Sequence, residues 1–319
     1  MSLPEGFSLR QPRPDDAEPI ARMINDESEA LMGARIVDAD WVSGPWGSPT
    51  AEPEDFAVVV DADGEVAGYL MVESDPPHAE VFAVGAVSRR YHSRGVGSAI
   101  VAETESRAGR LADLAAPGER VVIHAGALAD EPGVAALLSA RGYREVRRFW
   151  LMKLEFEGAP QPPEPVPGIE LRAMAPGEEP AVYRCMAEAF EDHWGVGFPA
   201  EDSWRQHHVS MKSHDPSLWW VARDGSDVVG ALIARADFAE DPRLGYVGEL
   251  GVLRSHRGRG IAKGLLRTAF AGFHARGCAG AALHVDSESS TGATRLYQSV
   301  GMSAQPRFAQ WEKEIRPAG

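Results

Sequence analysis

Apolar and polar positions along the 319-residue chain run through the same order twice. At 56–72, "FAVVVDADGEVAGYLMV" is an apolar run, an Asp-Gly turn and a second apolar run, and "WWVARDGSDVVGALIA" at 219–234 repeats it. Both predict a β-hairpin. Next come "VFAVGAVSRRYHSRGVGSAIVAETESRA" and "GYVGELGVLRSHRGRGIAKGLLRTAFAGF", each a strand, a basic glycine-rich turn and a helix. In the second, Ile261, Leu265, Ala269 and Phe273 fall on one face at helical spacing. Val87 and Val252 are 165 residues apart, as are Gly95 and Gly260, so the turn keeps its length in both copies. A last pair, "VVIHAGALADEPGVAALLSARGY" and "ALHVDSESSTGATRLYQSVGM", predicts a strand and a helix that ends at Gly142 or Gly301. Such repetition predicts one α/β domain made twice.

Between the copies, "EGAPQPPEPVPGIE" carries Pro160, Pro162, Pro163, Pro165 and Pro167. Proline at this density favours an extended tether over a helix. The expected division is a first domain over 1–157, a linker over 158–168 and a second domain over 169–319.

Composition narrows the partners. With 47 Asp and Glu against 32 Lys and Arg, the formal net charge is -15, which works against phosphate-backbone binding and excludes nucleic acid as the expected partner. No run approaches the roughly 20 apolar residues that cross a bilayer, and the N-terminal residues lack a signal-peptide apolar region. No membrane partner and a cytoplasmic location are expected. Two cysteines, Cys185 and Cys278, give neither a disulfide framework nor metal-ligand spacing. His207, His208 and His214 have no carboxylate or thiol completing a tetrahedral set, so no metal site is expected. The sequence is compatible with a monomer or a homodimer.

Against this acidic background, "RSHRGRGIAKGLL" packs four basic and three glycine residues into one turn at a helix start. Unpaired N–H groups and the positive helix end attract an anion there, and glycine lets a phosphate reach the backbone. Arg257, Arg259 and Lys263 add charge. A diphosphate is the natural ligand, although the spacing is neither a Walker A loop nor a dinucleotide G-x-G-x-x-G.

Arg257-Gly258-Arg259-Gly260-Ile261-Ala262 follows R/Q-x-x-G-x-G/A, and here the sequence resembles the GNAT superfamily of N-acetyltransferases. The resemblance covers nearly the whole chain, once per half, and the tandem arrangement is similar to the mycothiol synthase family. It implies two tandem GNAT-type domains, each a mixed, mostly antiparallel sheet with a splayed central strand pair flanked by helices. It implies acetyl-CoA as cosubstrate, its diphosphate on residues 257 to 263 and its pantetheine arm along a bulged strand at Leu250, Gly251 and Val252. Tyr297 matches the tyrosine that meets the leaving thiolate, while the family's asparagine a turn earlier is Ser289 here. The family's strand glutamate falls on Tyr246. Glu249 is the nearest carboxylate and the expected general base, with Tyr246 and Asp286 as alternatives.

The N-terminal copy departs from the pattern. His92 stands where the loop opens, Arg94, Gly95 and Gly97 still match beside Ala86 and Val87, and Leu138 replaces the tyrosine. That half is expected to be catalytically degenerate, with a glycine loop that still allows a second CoA.

The expected acceptor is the primary amine of a small molecule, attacking directly in a ternary complex. Glu191, Asp192 and Trp194 are the candidate contacts for it with Tyr246, and Glu201, Asp202 and Trp204 are further ones in the same acidic, aromatic stretch. A cysteinyl-glucosaminyl inositol, an aminoglycoside and a polyamine all fit. A non-catalytic CoA-binding or sensing protein and a protein-modifying acetyltransferase are the competing readings.

Overall fold

The structure is a computed structural model that describes residues 3–47, 52–74, 76–128, 131–191, 198–209, 215–289 and 292–319. Contacts divide the chain into two compact units, Met1–Phe149 with Pro306–Gly319, and Trp150–Gln305. The division differs from a linear cut at 158–168. The eight residues 150–157 belong to the second unit and the last fourteen to the first.

The first unit contains β1 (Phe7–Arg10), α1 (Ala17–Met32), α2 (Ala39–Ser43), β2 (Phe56–Asp61), β3 (Val66–Glu73), β4 (Glu80–Val87), α3 (Val96–Ala112), β5 (Val121–Leu128) and α4 (Pro132–Ala140). Next in the chain comes β6 (Arg144–Glu155). The second unit holds β7 (Glu170–Ala173), α5 (Glu179–Ala189), α6 (Glu201–His208), β8 (Trp219–Asp224), β9 (Asp227–Arg235), β10 (Leu244–Val252), α7 (Ile261–Ala275), β11 (Gly280–Asp286) and α8 (Ala293–Ser299). The chain ends in β12 (Ser303–Arg316).

Each unit holds one parallel strand pair among antiparallel hairpins. The first unit runs β1-β2-β3-β4-β5-β12, with β4 and β5 parallel, and the second runs β7-β8-β9-β10-β11-β6, with β10 and β11 parallel. The strand beside β5, like the strand beside β11, therefore comes from the far half of the sequence. Phe308–Arg316 pairs with Val121–Leu128, and Arg120 fastens it through Glu312 at 2.7 Å and Glu314 at 2.8 Å. In the second unit Leu151 and Met152 of β6 are fully buried.

The hairpin strands are apolar on both faces because helices cover both sides. In β2, Phe56, Val58 and Val60 pack with Ile20 of α1 and Val42 of α2, whereas Ala57 and Val59 pack with Ile100 of α3 and Leu138 of α4. In β8, Trp219 and Val221 join Met186 and Trp204, while Trp220 and Ala222 join Leu265 and Phe273.

A forked ion pair closes the first strand-to-helix corner of both units. Arg10 donates to both oxygens of Asp16 at 2.6 and 2.8 Å, and Arg172 donates to both oxygens of Glu178 at 2.7 and 2.6 Å. The backbone N–H of Arg13 or Ala175 adds a third bond to the same carboxylate. These bonds hold Asp16 below its usual carboxylate range and Glu178 at about 2.

The proline-rich segment is strapped to the second unit. Arg267 donates to Glu164 at 2.5 Å and Gln161 at 2.7 Å, and Val166 enters that unit's core.

Candidate functional site

The site starts from an irregularity in β10. Glu249, Leu250, Gly251 and Val252 oppose Ile233, Leu232, Ala231 and Gly230, but Val247 and Tyr246 oppose Ala234 and Arg235. Gly248 is the extra residue, and the bulge it makes changes which side chains share a face. Tyr246 and Glu249 are three apart and would point oppositely in a regular strand, yet they oppose residues two apart, so both lie on the face covered by α5 and α6. Parallel pairing of β10 with β11 ends at Tyr246 and Ala282, and beyond it the strands part. Leu250, Gly251 and Val252 therefore border a gap. A Cβ on Gly251 would lie 2.7 Å from Met186 Sδ and 3.0 Å from Ala189 Cβ, so α5 can approach only a glycine there.

Where β10 ends, the chain turns through Arg254–His256 into α7. Gly258 has φ of +78° and Gly260 of +85°, and a Cβ on either would meet nothing within 4 Å. The backbone N–H groups at the start of α7 thus border open space. Ile261 anchors the helix in the core, with Ala262 packed against the same cluster. The two loop arginines act as fasteners. Arg257 donates through Nε to the Val252 carbonyl at 3.1 Å and through Nη2 to that of Ala189 at 2.9 Å. Arg259 donates to the Pro167 carbonyl at 3.1 Å, with its other nitrogen 3.5 Å from Asp224. Hydrogen bonds from a charged donor contribute about 1.5–3 kcal/mol each, which suits Arg257 to shaping the turn. Lys263 lines a small cleft with Glu164, Gly260 and Arg267.

Three side-chain groups surround the gap. Tyr297, on α8, is buried, and its phenol is pushed up to about 12, first by burial and then by the proximity of Tyr246. It stays protonated. Glu249 is gripped by α6, with His208 Nε2 at 2.8 Å from one oxygen and Trp204 Nε1 donating to the other at 3.3 Å. Tyr246 stacks on Phe238 with centroids 4.9 Å apart and shares a 3.1 Å hydrogen bond with His284 Nδ1. Ser289 lies in the turn before α8, where its N–H donates to the Asp286 carbonyl at 3.1 Å.

Of the acceptor candidates, Glu191 is exposed just past α5, while Asp192 and Trp194 lie outside the described residues. Trp204 is fully buried, a core residue holding Glu249 rather than an exposed ring. Sequence reasoning missed His208 as a carboxylate partner, and it missed His284 and Glu240. The signal for His284 was present, since strand alternation in "ALHVD" puts Ala282, His284 and Asp286 on one face.

A bulged strand parting from its parallel neighbour and running into a left-handed glycine turn occurs where the Acetyltransferase (GNAT) family matches, at residues 180–302, and that family also matches residues 20–116. The chain belongs to the GNAT family. It is an acyltransferase with two GNAT regions in tandem. Among curated relatives, the mycothiol acetyltransferase of Thermobispora bispora is 27% identical over 95% of each chain. That of Salinispora arenicola is 30% identical over 82% of this chain and 81% of its own. A crystal structure of a GCN5-related N-acetyltransferase from Sphaerobacter thermophilus superposes with a TM-score of 0.84 at 32% identity, covering 100% of this chain and 98% of that one. A tandem GNAT protein from the clavulanic acid biosynthesis pathway shares the fold, with a TM-score of 0.69 at 17% identity.

The first GNAT region keeps the backbone of the turn and changes what surrounds it. Gly95 has φ of +85°, as Gly260 does, but the partner of Gly258 is Ser93, a non-glycine residue at φ +59°. His92 Nε2 lies 3.2 Å from the Val87 carbonyl, repeating the contact of Arg257 Nε with Val252. Arg94 packs its guanidinium over Phe7 and Tyr91. A Cβ on Gly97 would lie 3.3 Å from Leu137. No bulge interrupts the pairing of β4 with β3, where Ala86 opposes Tyr69 and Val87 opposes Gly68. Leu138 is core. Glu27 approaches His92 at 3.8 Å, and Glu131 is pushed up to about 7 by burial first and by the charge of Glu27 second. Carboxylates thus crowd the turn of the first copy.

Proposed function

We infer that the second unit catalyses transfer of an acetyl group from acetyl-CoA to the primary amine of a small molecule, by direct attack in a ternary complex. One observation carries the reading: bulge, strand gap, glycine turn and protonated Tyr297 meet around the C-terminal half of one strand, β10. In this reading the diphosphate sits on the N–H groups of residues 258 to 263, and the pantetheine arm pairs with the free backbone of Glu249 to Val252. Tyr297 donates its proton to the departing thiolate. Glu249, fixed by Trp204 and His208, receives the acceptor ammonium. The relatives named mycothiol acetyltransferase favour a cysteinyl-glucosaminyl inositol as the acceptor.

The first unit, in this reading, is a degenerate copy. Leu138 offers no proton, and Glu27 beside His92 repels a diphosphate, so a second CoA there binds weakly or not at all. That the chain as a whole only binds CoA is the competing reading, and Tyr297 weighs against it, because a binding module has no use for an acid beside the sulfur.

Thiol release from acetyl-CoA, followed across cysteinyl-glucosaminyl inositol, aminoglycosides and polyamines beside a calorimetric titration of CoA, tests the assignment. Acceptor-dependent release supports transfer and names the substrate class. Tight CoA binding without release from any amine overturns transfer in favour of a sensor.

A further inference from the structure

The bulge places Tyr246 at the apex of the strand gap, as the last residue of β10 paired with β11. Behind it runs a chain of polar groups that the reading above does not use. The Tyr246 hydroxyl is 3.1 Å from His284 Nδ1, and His284 Nε2 is 3.3 Å from Glu240 Oε1. The Glu240 side chain is 5% exposed and that of His284 is 24% exposed, so the imidazole joins a buried carboxylate to the protein surface. Phe238 stacks on the Tyr246 ring from one side, and the Arg235 guanidinium lies 4.5 Å from its centroid. Tyr246 is close enough to raise the pKa of Tyr297, so this end of the chain lies beside the proposed acid.

We propose that Tyr246, His284 and Glu240 form the relay that removes the net proton of the reaction from the acceptor amine. The proposal rests on the acetyl-transfer reading and deepens it. An alkylammonium acceptor has to lose one proton before its nitrogen can attack. The Tyr246 oxygen takes that proton while its own hydroxyl proton passes to His284 Nδ1. Tyr246 begins and ends as a neutral phenol, consistent with the burial that makes it harder to ionise than an ordinary tyrosine. As the new C–N bond forms and the C–S bond breaks, the nitrogen gives up its second proton. That proton replaces the one Tyr297 hands to the thiolate. One proton therefore stays on His284 as imidazolium, which Glu240 stabilises and which solvent discharges. The balance is ammonium and thioester in, amide, thiol and one proton out.

Other charged and titratable groups frame the relay. Asp241, ion-paired to Lys153 at 3.5 Å, follows Glu240 in the chain, Arg235 faces Tyr246 from β9, and Asp286 lies two residues beyond His284 on its face. Glu249 shares the face of Tyr246, and Tyr297 on α8 is within electrostatic reach of it. In this scheme Glu249 holds the ammonium while its proton leaves through Tyr246. Glu240 is a positioning residue, because it acts through the imidazole.

The test is the pH profile of thiol release by the full chain, with acetyl-CoA and cysteinyl-glucosaminyl inositol. Wild type should show an acid limb in kcat/KM. Tyr246→Phe keeps the stacked ring and should lower kcat about 30-fold or more with the KM for acetyl-CoA within about twofold. His284→Gln should abolish the acid limb, and Glu240→Gln should move it to lower pH, because the imidazolium loses its carboxylate. A purely structural role would lower kcat at every pH without reshaping the limb. If His284→Gln fails to fold, Tyr246→Phe and Glu240→Gln carry the test. Wild-type turnover with an unaltered limb in Glu240→Gln and full kcat in Tyr246→Phe overturns the relay alone. Absence of release by wild type overturns the transfer reading, and the relay with it.

Discussion

The two turns that follow β4 and β10 share a backbone and its braces, but not the residues around them. Both start helices at a glycine with φ of +85°, and both tie the residue three before it to the last carbonyl of the preceding strand. Asp61 hydrogen-bonds Tyr91 in one unit, and Asp224 lies 3.3 Å from His256 in the other, so even the brace from the hairpin turn recurs. The bulge in β10, Tyr297 and the Glu249–His208 pair have no counterpart among the described residues of the first unit. The turn survives changes in the side chains around it, because it is held by backbone and core contacts that folding itself requires. Ser93 shows how strong that requirement is, since it accepts a left-handed conformation that costs a non-glycine residue about 1 kcal/mol.

Matched substitutions should break this pairing most sharply at the two helix positions. Tyr297→Phe should reduce turnover about 100-fold or more while CoA affinity in calorimetry stays nearly intact. Leu138→Ala should leave turnover unchanged and cost about 2–5 kcal/mol in denaturant unfolding, as expected for a buried leucine. Equal losses of turnover in both would mean that Tyr297 acts only through packing.

At the turns, Gly260→Val should weaken CoA binding at least about tenfold, because its side chain enters the open space beside the helix start and its φ is unfavourable for valine. Gly95→Val strains the first unit, where Pro4 is 3.2 Å from the added Cβ, and should leave CoA affinity unchanged. A drop in CoA stoichiometry with Gly95→Val would reveal a second site.

Smaller effects should separate strain from chemistry. Gly258→Ser is expected to cost about 1 kcal/mol in unfolding free energy, and Ser93→Gly to raise it by less than about 1 kcal/mol, since glycine removes the steric cost but adds chain entropy. Glu178 should carry the smallest and most pH-specific effect. Its folded value of about 2 lies below its ordinary value of 4.5, so its contribution is complete above pH 4.5 and is lost as pH falls towards 2. The stability gap between wild type and Glu178→Gln in urea unfolding should therefore narrow between pH 6 and pH 3.

Much of this was legible in the sequence because it is local. Hairpins, glycine turns and amphipathic helices follow from spacing within twenty residues, and the constant 165-residue offset exposed the repeat. Tyr297 was legible as a candidate through its helix. Glu249 was legible as a candidate too, but its partners were not, because His208 reaches it from a helix some forty residues earlier. The forked pairs of Arg10 with Asp16 and Arg172 with Glu178 were missed, although each spans six residues, because charges at a strand-to-helix corner read as solvated surface.

By itself the sequence determined the two-fold plan, the position of the basic glycine turn in each copy and the residues by which the copies differ, because each depends on residue type at fixed short spacing. Only the tertiary structure decided that β6 and β12 complete sheets of the far halves, since strand pairing over long separations has no local signature. It alone decided that Arg257 fastens the turn. It also decided that one bulged glycine brings Tyr246 round to the face of Glu249, because a single extra residue reverses every side chain on one side of it.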